Sequence, residues 1–214
     1  MASNPQWCQP LSMWSRYFRG WIEEPEPQPV LAAQIHFDLR PVGGATRLGA
    51  ALRALVHELA PSRRLFLGLL ARDVTSRRVP VTIFGNVAVE RTPARRGTVD
   101  LKAGAALPLT GAARIHALEL GIDVTNTIDR FCAAGARGLY TEAETRDITD
   151  AFQHVTRLRL VHQLGQMERG EPPDNHLRPA RLSRADLLLL RDALRTVRHV
   201  QAGMRERFKT AQMG

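Results

Sequence analysis

Polar and apolar residues alternate in the segment 34–41, QIHFDLRP. This period of two predicts a β-strand that carries His36, Asp38 and Arg40 on its polar face. A carboxylate fixed on a strand can ligate Mg²⁺ or accept a proton from an attacking hydroxyl group. The spacing alone favours a more ordinary role, in which Asp38 is solvated or paired with an arginine. Asp38 is still the residue that we single out for chemistry.

Other residue types give no comparable signal. The two cysteines, Cys8 and Cys132, show neither CxxC nor Cys/His spacing, so the sequence predicts no zinc site and no disulfide framework. The seven histidines include no HExxH motif. No Ser/His/Asp order and no glycine-rich phosphate loop points to another enzyme class. Reduced thiols fit a cytoplasmic protein best.

Composition places the chain among ordinary globular proteins. Of its 214 residues, 44% are apolar and 24% are charged, and 30 Lys and Arg against 21 Asp and Glu give a net charge of +9. Such an excess can attract nucleic acid, nucleotide phosphates or an acidic protein. Because the arginines are scattered and no aromatic platform accompanies them, we do not expect a nucleic-acid partner. No signal peptide or run of about 18 apolar residues is present, so we expect no membrane partner.

Helical periodicity dominates the C-terminal half. Thr141 followed by Glu144 is a capping-box signature, and the apolar pattern behind it predicts a helix to about Gly170. A final helix should begin near Ser183. Two long helices joined by a loop of this length normally pack antiparallel.

The N-terminal half is more mixed. Periodicity predicts helices over 11–22, 46–59 and 63–74, and the sequence has short strand-like runs between 79 and 109. Together with the strand at 34–41, these patterns predict a mainly α protein. Its C-terminal antiparallel helical bundle should follow a small α/β part.

Six sequence motifs carry a resemblance to a known family. They are NPQWCQPLSMW, HFDLRPV, DLKAGAALPL, TNTIDRF, RLRLVHQL and EPPDNHLRPARLS, in this order. The motifs resemble the C-terminal part of nucleotidyltransferases that are often joined to cyclic-nucleotide-binding and CBS domains, and that are similar to protein-PII uridylyltransferases and glutamine synthetase adenylyltransferase. The resemblance covers essentially the whole chain. It implies that residues 1–60 are the C-terminal remnant of a polymerase-beta-type nucleotidyltransferase domain and that residues 61–214 form a helical substrate-binding domain.

The resemblance also implies site residues and cofactors. In that superfamily a Gly-Ser turn holds the nucleotide phosphates, and three carboxylates bind two divalent metals. Asp38 matches the third carboxylate and is therefore the implied catalytic and Mg²⁺-binding residue. Arg40 beside it and Lys102 in DLKAG are the implied contacts to a nucleoside triphosphate, although Lys102 also fits an ordinary surface lysine. His162, Gln163, Asp174 and Asn175 fall in family-like motifs and are expected near a cleft between the domains, or as loop-forming residues.

The sequence departs from the family pattern at one decisive point. It contains no Gly-Ser turn followed by an Asp-x-Asp pair. Since one carboxylate cannot hold two metals, we expect the chain to be inactive alone and to bind no cofactor by itself. The implied partners are a protein acceptor in signal transduction and a separate catalytic half, and a homo-oligomer remains open. The alternative reading is a non-catalytic helical module for protein interaction.

Overall fold

A computed structural model of the chain describes residues 4, 5 and 7–212. In that part the chain forms α1 (Leu11–Glu23), α2 (Pro27–Ala33), α3 (Thr46–Leu59), α4 (Arg64–Ser76), α5 (Leu107–Leu120), α6 (Thr127–Ala136), α7 (Glu142–Glu168) and α8 (Arg184–Phe208). Two short strands, β1 (Val99–Asp100) and β2 (His176–Leu177), pair antiparallel. The prediction of a mainly α protein is confirmed. None of the described helices is long and apolar enough to cross a membrane.

The caps of the two longest helices follow from the sequence. The Thr141 hydroxyl accepts a hydrogen bond from the Glu144 backbone N–H at 3.2 Å, and the Glu144 carboxylate accepts one from the Thr141 N–H at 2.8 Å. This capping box satisfies two backbone donors at the start of α7. Ser183 caps α8 by accepting from the Asp186 N–H at 3.0 Å. Both predicted helix starts are confirmed.

The helices α7 and α8 pack antiparallel, as predicted. His199 near the end of α8 lies 3.4 Å from Glu144 at the start of α7. His154 of α7 contacts the backbone oxygen of Asp186 at the start of α8, at 3.3 Å. Helix α7 and the first turn of α8 line the cleft described in the next section.

The larger of two apolar clusters among the described residues runs from the N-terminal helices to the end of α8. Helix α5 lies at its centre and packs against α4, α6 and α8. The largest fully buried side chains are Phe18, Phe66, Phe131, Ile22, Leu67, Leu101, Leu109, Ile115, Ile148, Leu190, Leu194 and Met204. The apolar contacts thus continue across residue 60, and the domain boundary predicted there stays a prediction.

The strand predicted at 34–41 is wrong. Residues Gln34–Asp38 form a 3₁₀-helix, with the Leu39 N–H donating to the His36 oxygen at 3.2 Å. A strand needs a neighbour to pair its backbone groups, and the described residues offer no long strand at this place. Local hydrogen bonds satisfy the backbone instead. Phe37 is buried between Phe18 and Phe66, with ring centroids 5.7 and 5.2 Å away.

This change of structure also moves His36 away from its predicted place beside Asp38. The imidazole stacks on Trp21, with ring centroids 5.7 Å apart and an interplanar angle of 9°. Trp7 and Trp14 lie 5.0 and 5.2 Å from the same ring. The polar face that would have joined His36, Asp38 and Arg40 therefore does not form.

The strand-like runs between 79 and 109 form little regular sheet. Val81 and Val87 make an isolated bridge, and β1 pairs with β2 from beyond α7 rather than with a neighbour in sequence. A π-helical turn, Lys102–Ala106, then leads directly into α5. Helix α5 therefore begins at Leu107, without a break after this turn.

Candidate functional site

An open cleft of about 540 Å³ lies between the C-terminal half of α7, the segment 171–186 and the segment 94–98. Its charged lining consists of five arginines and three carboxylates, namely Arg95, Arg157, Arg169, Arg178, Arg181, Glu171, Asp174 and Asp186. We call this the basic cleft. Because positive side chains outnumber negative ones, its surface favours an anionic ligand.

The two strands hold the rim of the basic cleft in place. Asp100 lies opposite His176, and Val99 lies opposite Leu177. The Leu101 N–H extends this pairing by donating to the Asn175 oxygen at 3.1 Å. The loop after α7 is therefore tied to the start of the α5 region, which is about 75 residues away in sequence.

Asp174 is the centre of a polar network in the cleft wall. Its carboxylate accepts hydrogen bonds from His162 Nε2 at 3.0 Å, from Arg95 at 2.8 Å and from the His176 N–H at 3.0 Å. Its own N–H donates to Gln166 at 2.9 Å. Burial raises the pKa of Asp174, but these hydrogen bonds, first that of His162, lower it well below its ordinary value. Asp174 is thus ionised over the whole physiological range.

Asn175 fixes the same loop from the other side. Its side-chain oxygen accepts from Arg159 Nε and a terminal guanidinium nitrogen at 3.1 and 3.0 Å, and from Gln163 at 3.3 Å. Gln163 also donates to the Asp174 backbone oxygen at 3.2 Å. Motifs that are separate in sequence, RLRLVHQL and EPPDNHLRPARLS, therefore meet in one network.

The four residues from the family-like motifs do not lie between two domains, as the sequence suggested. His162 and Asp174 line the basic cleft, whereas Gln163 and Asn175 support its wall. The cleft lies entirely within residues 94–186 and not between the two predicted domains. Sequence reasoning missed Arg95 and Gln166, since neither has a local pattern that predicts its contact with Asp174.

Asp38 forms a second charged cluster, away from this cleft. Arg114 of α5 donates through Nε to Asp38 Oδ2 at 2.7 Å and through a terminal nitrogen to the same oxygen. Arg130 of α6 lies 2.6 Å from Oδ1. The Asp38 side chain is 27% exposed, but those of Arg114 and Arg130 are only 13% and 6% exposed. This is the arginine-paired alternative that the spacing favoured, and it ties the 3₁₀-helix to α5 and α6.

The other residues of the implied nucleotide site are not assembled around Asp38. Arg40 and Lys102 are exposed, and neither side chain makes a hydrogen bond or ion pair with another described residue. In the part of the chain that the structure describes, no group of three His, Cys, Asp or Glu residues could hold a metal ion. The partners of Asp38 had no sequence signal, because Arg114 lies 76 positions away.

Replacing Asp174 with asparagine should loosen the rim of the basic cleft. The hydrogen bonds from His162 and Arg95 go to different carboxylate oxygens. Because asparagine has only one acceptor oxygen, one of the two bonds would be lost and the other would no longer be charge-assisted, which should lower the free energy of unfolding by about 1 kcal/mol. Hydrogen exchange at the His176 amide should accelerate more than exchange in α5. Asp150→Asn, on the exposed face of α7, is the control. Unchanged exchange at residue 176 would show that the network does not hold the loop.

Comparison with known families agrees with the resemblance. The family model described as "Putative nucleotidyltransferase substrate binding domain" matches residues 64–208, which include the basic cleft. A second model, described as "Putative nucleotidyltransferase DUF294", matches residues 1–28. No curated protein and no solved structure matches the chain significantly. Because the first match spans 145 of the 214 residues, the chain belongs to the family of nucleotidyltransferase substrate-binding domains.

Proposed function

We propose that this chain binds the acceptor protein of a signal-transduction nucleotidyltransferase similar to the protein-PII uridylyltransferases, and that the acceptor binds in the basic cleft. One observation carries the proposal. The motifs RLRLVHQL and EPPDNHLRPARLS converge on the cleft, inside the region matched by the substrate-binding family model. Within this region, the cleft combines a concave shape with several polar groups that converge on it, as binding sites commonly do.

The construction of the cleft supports a binding role. Hydrogen bonds through Asp174 and Asn175 hold the loop before any ligand arrives. A preformed rim reduces the conformational entropy that binding would otherwise lose. The arginines of the cleft can then contact a partner without a large rearrangement of the backbone.

Nucleotide transfer itself would need more than these residues. In our proposal Asp38 would be the third metal-binding carboxylate of the complete active site. Arg40 and Lys102 would contact the nucleoside triphosphate, and Mg²⁺ would help to neutralise its negative charge. Arg114 and Arg130 now engage the Asp38 oxygens, so a metal would have to displace them. Since the sequence has no Gly-Ser turn with an Asp-x-Asp pair, we infer that these 214 residues do not transfer nucleotides alone. The cytoplasm, where thiols stay reduced, is the proposed location.

Site-specific photo-crosslinking tests the acceptor-binding proposal. A photoreactive amino acid replaces Val161, which lines the cleft, or Leu65 on α4 as a matched control, since both side chains are 56% exposed. Each variant is irradiated in an extract of its own cells. We expect one protein to be linked at position 161 and not at position 65. The linked protein is then purified, and its binding and nucleotide labelling are measured.

The same experiment can overturn the proposal. Equal labelling at positions 161 and 65, or no labelling at position 161, would mean that the cleft does not bind a protein acceptor. A specific partner that never carries a nucleotide would favour the alternative function, a non-catalytic module for protein interaction.

A further inference from the structure

An apolar stripe on α7 borders the basic cleft. Leu160, Val161, Leu164 and Met167 are 55%, 56%, 48% and 61% exposed. Their spacing places them along one side of the helix. Val161 belongs to both features, since it also lines the cleft. The charged cleft and the apolar stripe thus form one continuous amphipathic surface.

The arginines of the basic cleft differ in whether a carboxylate of the same chain already pairs with them. Arg157 pairs with Asp186, and Arg169 pairs with Glu171 through two hydrogen bonds. The Arg181 side chain lines the cleft but makes no hydrogen bond or ion pair with another described residue, although, after the hydrogen bond from Arg169, its charge helps to lower the pKa of Glu171. Arg181 is therefore the arginine most available to a ligand, and its guanidinium can bind a carboxylate through two parallel hydrogen bonds.

We propose that this surface binds an acidic peptide segment that also carries large apolar side chains. Carboxylates of the segment pair with Arg181 and its neighbours in the cleft, and the apolar side chains cover Val161, Leu164 and Met167. This inference rests on the proposed function, because the segment would belong to the acceptor protein. It adds that the acceptor must carry an exposed segment with acidic and large apolar side chains.

The basic cleft and the apolar stripe together favour an acidic and apolar segment over other ligands. A phosphate group alone would use the arginines but would leave the apolar stripe exposed to water. A purely apolar partner would leave the excess positive charge of the cleft uncompensated. An acidic and apolar segment satisfies both, and electrostatic attraction to a chain of net charge +9 should speed its association.

Fluorescence anisotropy with defined peptides tests the proposal. The probe is a labelled twelve-residue peptide with Glu at about half of its positions and Leu at about a third. Two further peptides replace either Glu with Lys or Leu with Ser. The protein variants are Arg181→Glu in the cleft and Leu164→Ser in the stripe. Their controls are Arg47→Glu on α3, also unpaired, and Leu65→Ser on α4.

We expect the Glu/Leu peptide to bind in low salt and to weaken as salt is added. Arg181→Glu should weaken binding about tenfold, because an attraction becomes a repulsion. Leu164→Ser should weaken it several-fold, and the two control variants should leave it unchanged. The Lys peptide should not bind, and the Ser peptide should bind less tightly than the Glu/Leu peptide.

Several results would overturn the inference. Absence of binding by the Glu/Leu peptide would do so directly. An equal loss in Arg47→Glu would show non-specific attraction to net charge. If inorganic phosphate or ATP binds and expels the peptide at similar concentration, the cleft is a phosphate site. If analytical ultracentrifugation shows that Leu164→Ser dissociates a dimer, the stripe binds a second copy of this chain.

The peptide-binding test and the crosslinking test can fail independently of each other. If crosslinking at position 161 identifies a nucleotide-labelled partner but the Glu/Leu peptide does not bind, the acceptor function stands and its acidic chemistry is wrong. If the peptide binds but no nucleotide-labelled partner is found, the surface is a peptide-binding site with another function.

Discussion

Replacing Asp38 with asparagine is expected to lower the free energy of unfolding by about 3 kcal/mol. The nearly buried guanidinium groups of Arg114 and Arg130 would lose their common negative partner. Removing one member of a buried ion pair leaves an uncompensated charge, which destabilises the fold more than forming the pair stabilised it. Urea unfolding monitored by circular dichroism at neutral pH measures the difference.

A double-mutant cycle and a surface control complete this experiment. Arg114→Gln should be less harmful in the Asp38→Asn background than in the unmodified chain, because one unpaired charge is then removed. Asp192→Asn, whose side chain is 66% exposed beside Arg195, should change stability by no more than a few tenths of a kcal/mol. A small effect of Asp38→Asn would show that its ion pairs contribute little.

The same variant examines the nucleotide role proposed for Asp38. Binding of ATP and UTP is measured with and without Mg²⁺ on the unmodified chain and on Asp38→Asn. With both Asp38 oxygens in ion pairs, we expect no Mg²⁺-dependent binding by this chain alone. Mg²⁺-dependent binding that disappears in Asp38→Asn would instead show that a nucleotide site survives within the 214 residues.

The second large effect is expected at Glu119 in α5. Its carboxylate, 8% exposed, pairs with Arg64 at 2.9 Å and Arg207 at 2.7 Å and lies 3.7 Å from His116. The His116 ring also contacts the Tyr140 hydroxyl at 2.9 Å. This network joins α4, α5 and α8. Glu119→Gln should therefore lower the free energy of unfolding by about 2 kcal/mol, a value reduced because Arg64 and Arg207 are partly exposed.

The pH dependence of stability provides an independent check. Burial raises the pKa of Glu119, but the neighbouring His116 imidazole and the hydrogen bond from Arg207 lower it from 4.5 to about 2. A carboxyl group whose pKa is lower in the folded state binds protons more readily when unfolded. Its contribution to stability is therefore complete above about pH 4.5 and is lost as the pH falls toward 2.

Melting curves between pH 2 and pH 7 should show this loss in the unmodified chain and a shallower slope below pH 4.5 in Glu119→Gln. Glu142→Gln is the control, because the Glu142 side chain is 90% exposed and pairs with the exposed Arg146. If the two variants have parallel curves, the network around Glu119 does not contribute to acid stability.

Local sequence signals predicted helices well where the signals were complete. The capping box at Thr141 and Glu144 satisfies backbone donors inside one turn, so its sequence is sufficient to predict it. Gly121 ends α5 with a positive φ of 62°, which glycine adopts without steric strain. The alternation of polar and apolar residues at 34–41 predicted a strand wrongly, because a strand also requires a neighbouring strand that no local pattern can supply.

The candidate site shows the same division. Its two motifs can be read in the sequence, and so can the family resemblance, but the hydrogen bonds that join the motifs through Asp174 and Asn175 are seen only in the folded chain. Likewise Arg95 and Gln166 become partners of Asp174 only in the folded chain.

The sequence by itself determined the helical class, the ends of the long helices and the family, because these depend on neighbouring residues or on ordered motifs. Only the tertiary structure decided what Asp38 contacts and where the basic cleft and its apolar stripe lie. Those features depend on long-range packing, in which side chains from Arg95, Asp174 and α7 come together after the chain has closed its core. Contacts of this kind have no fixed spacing in sequence.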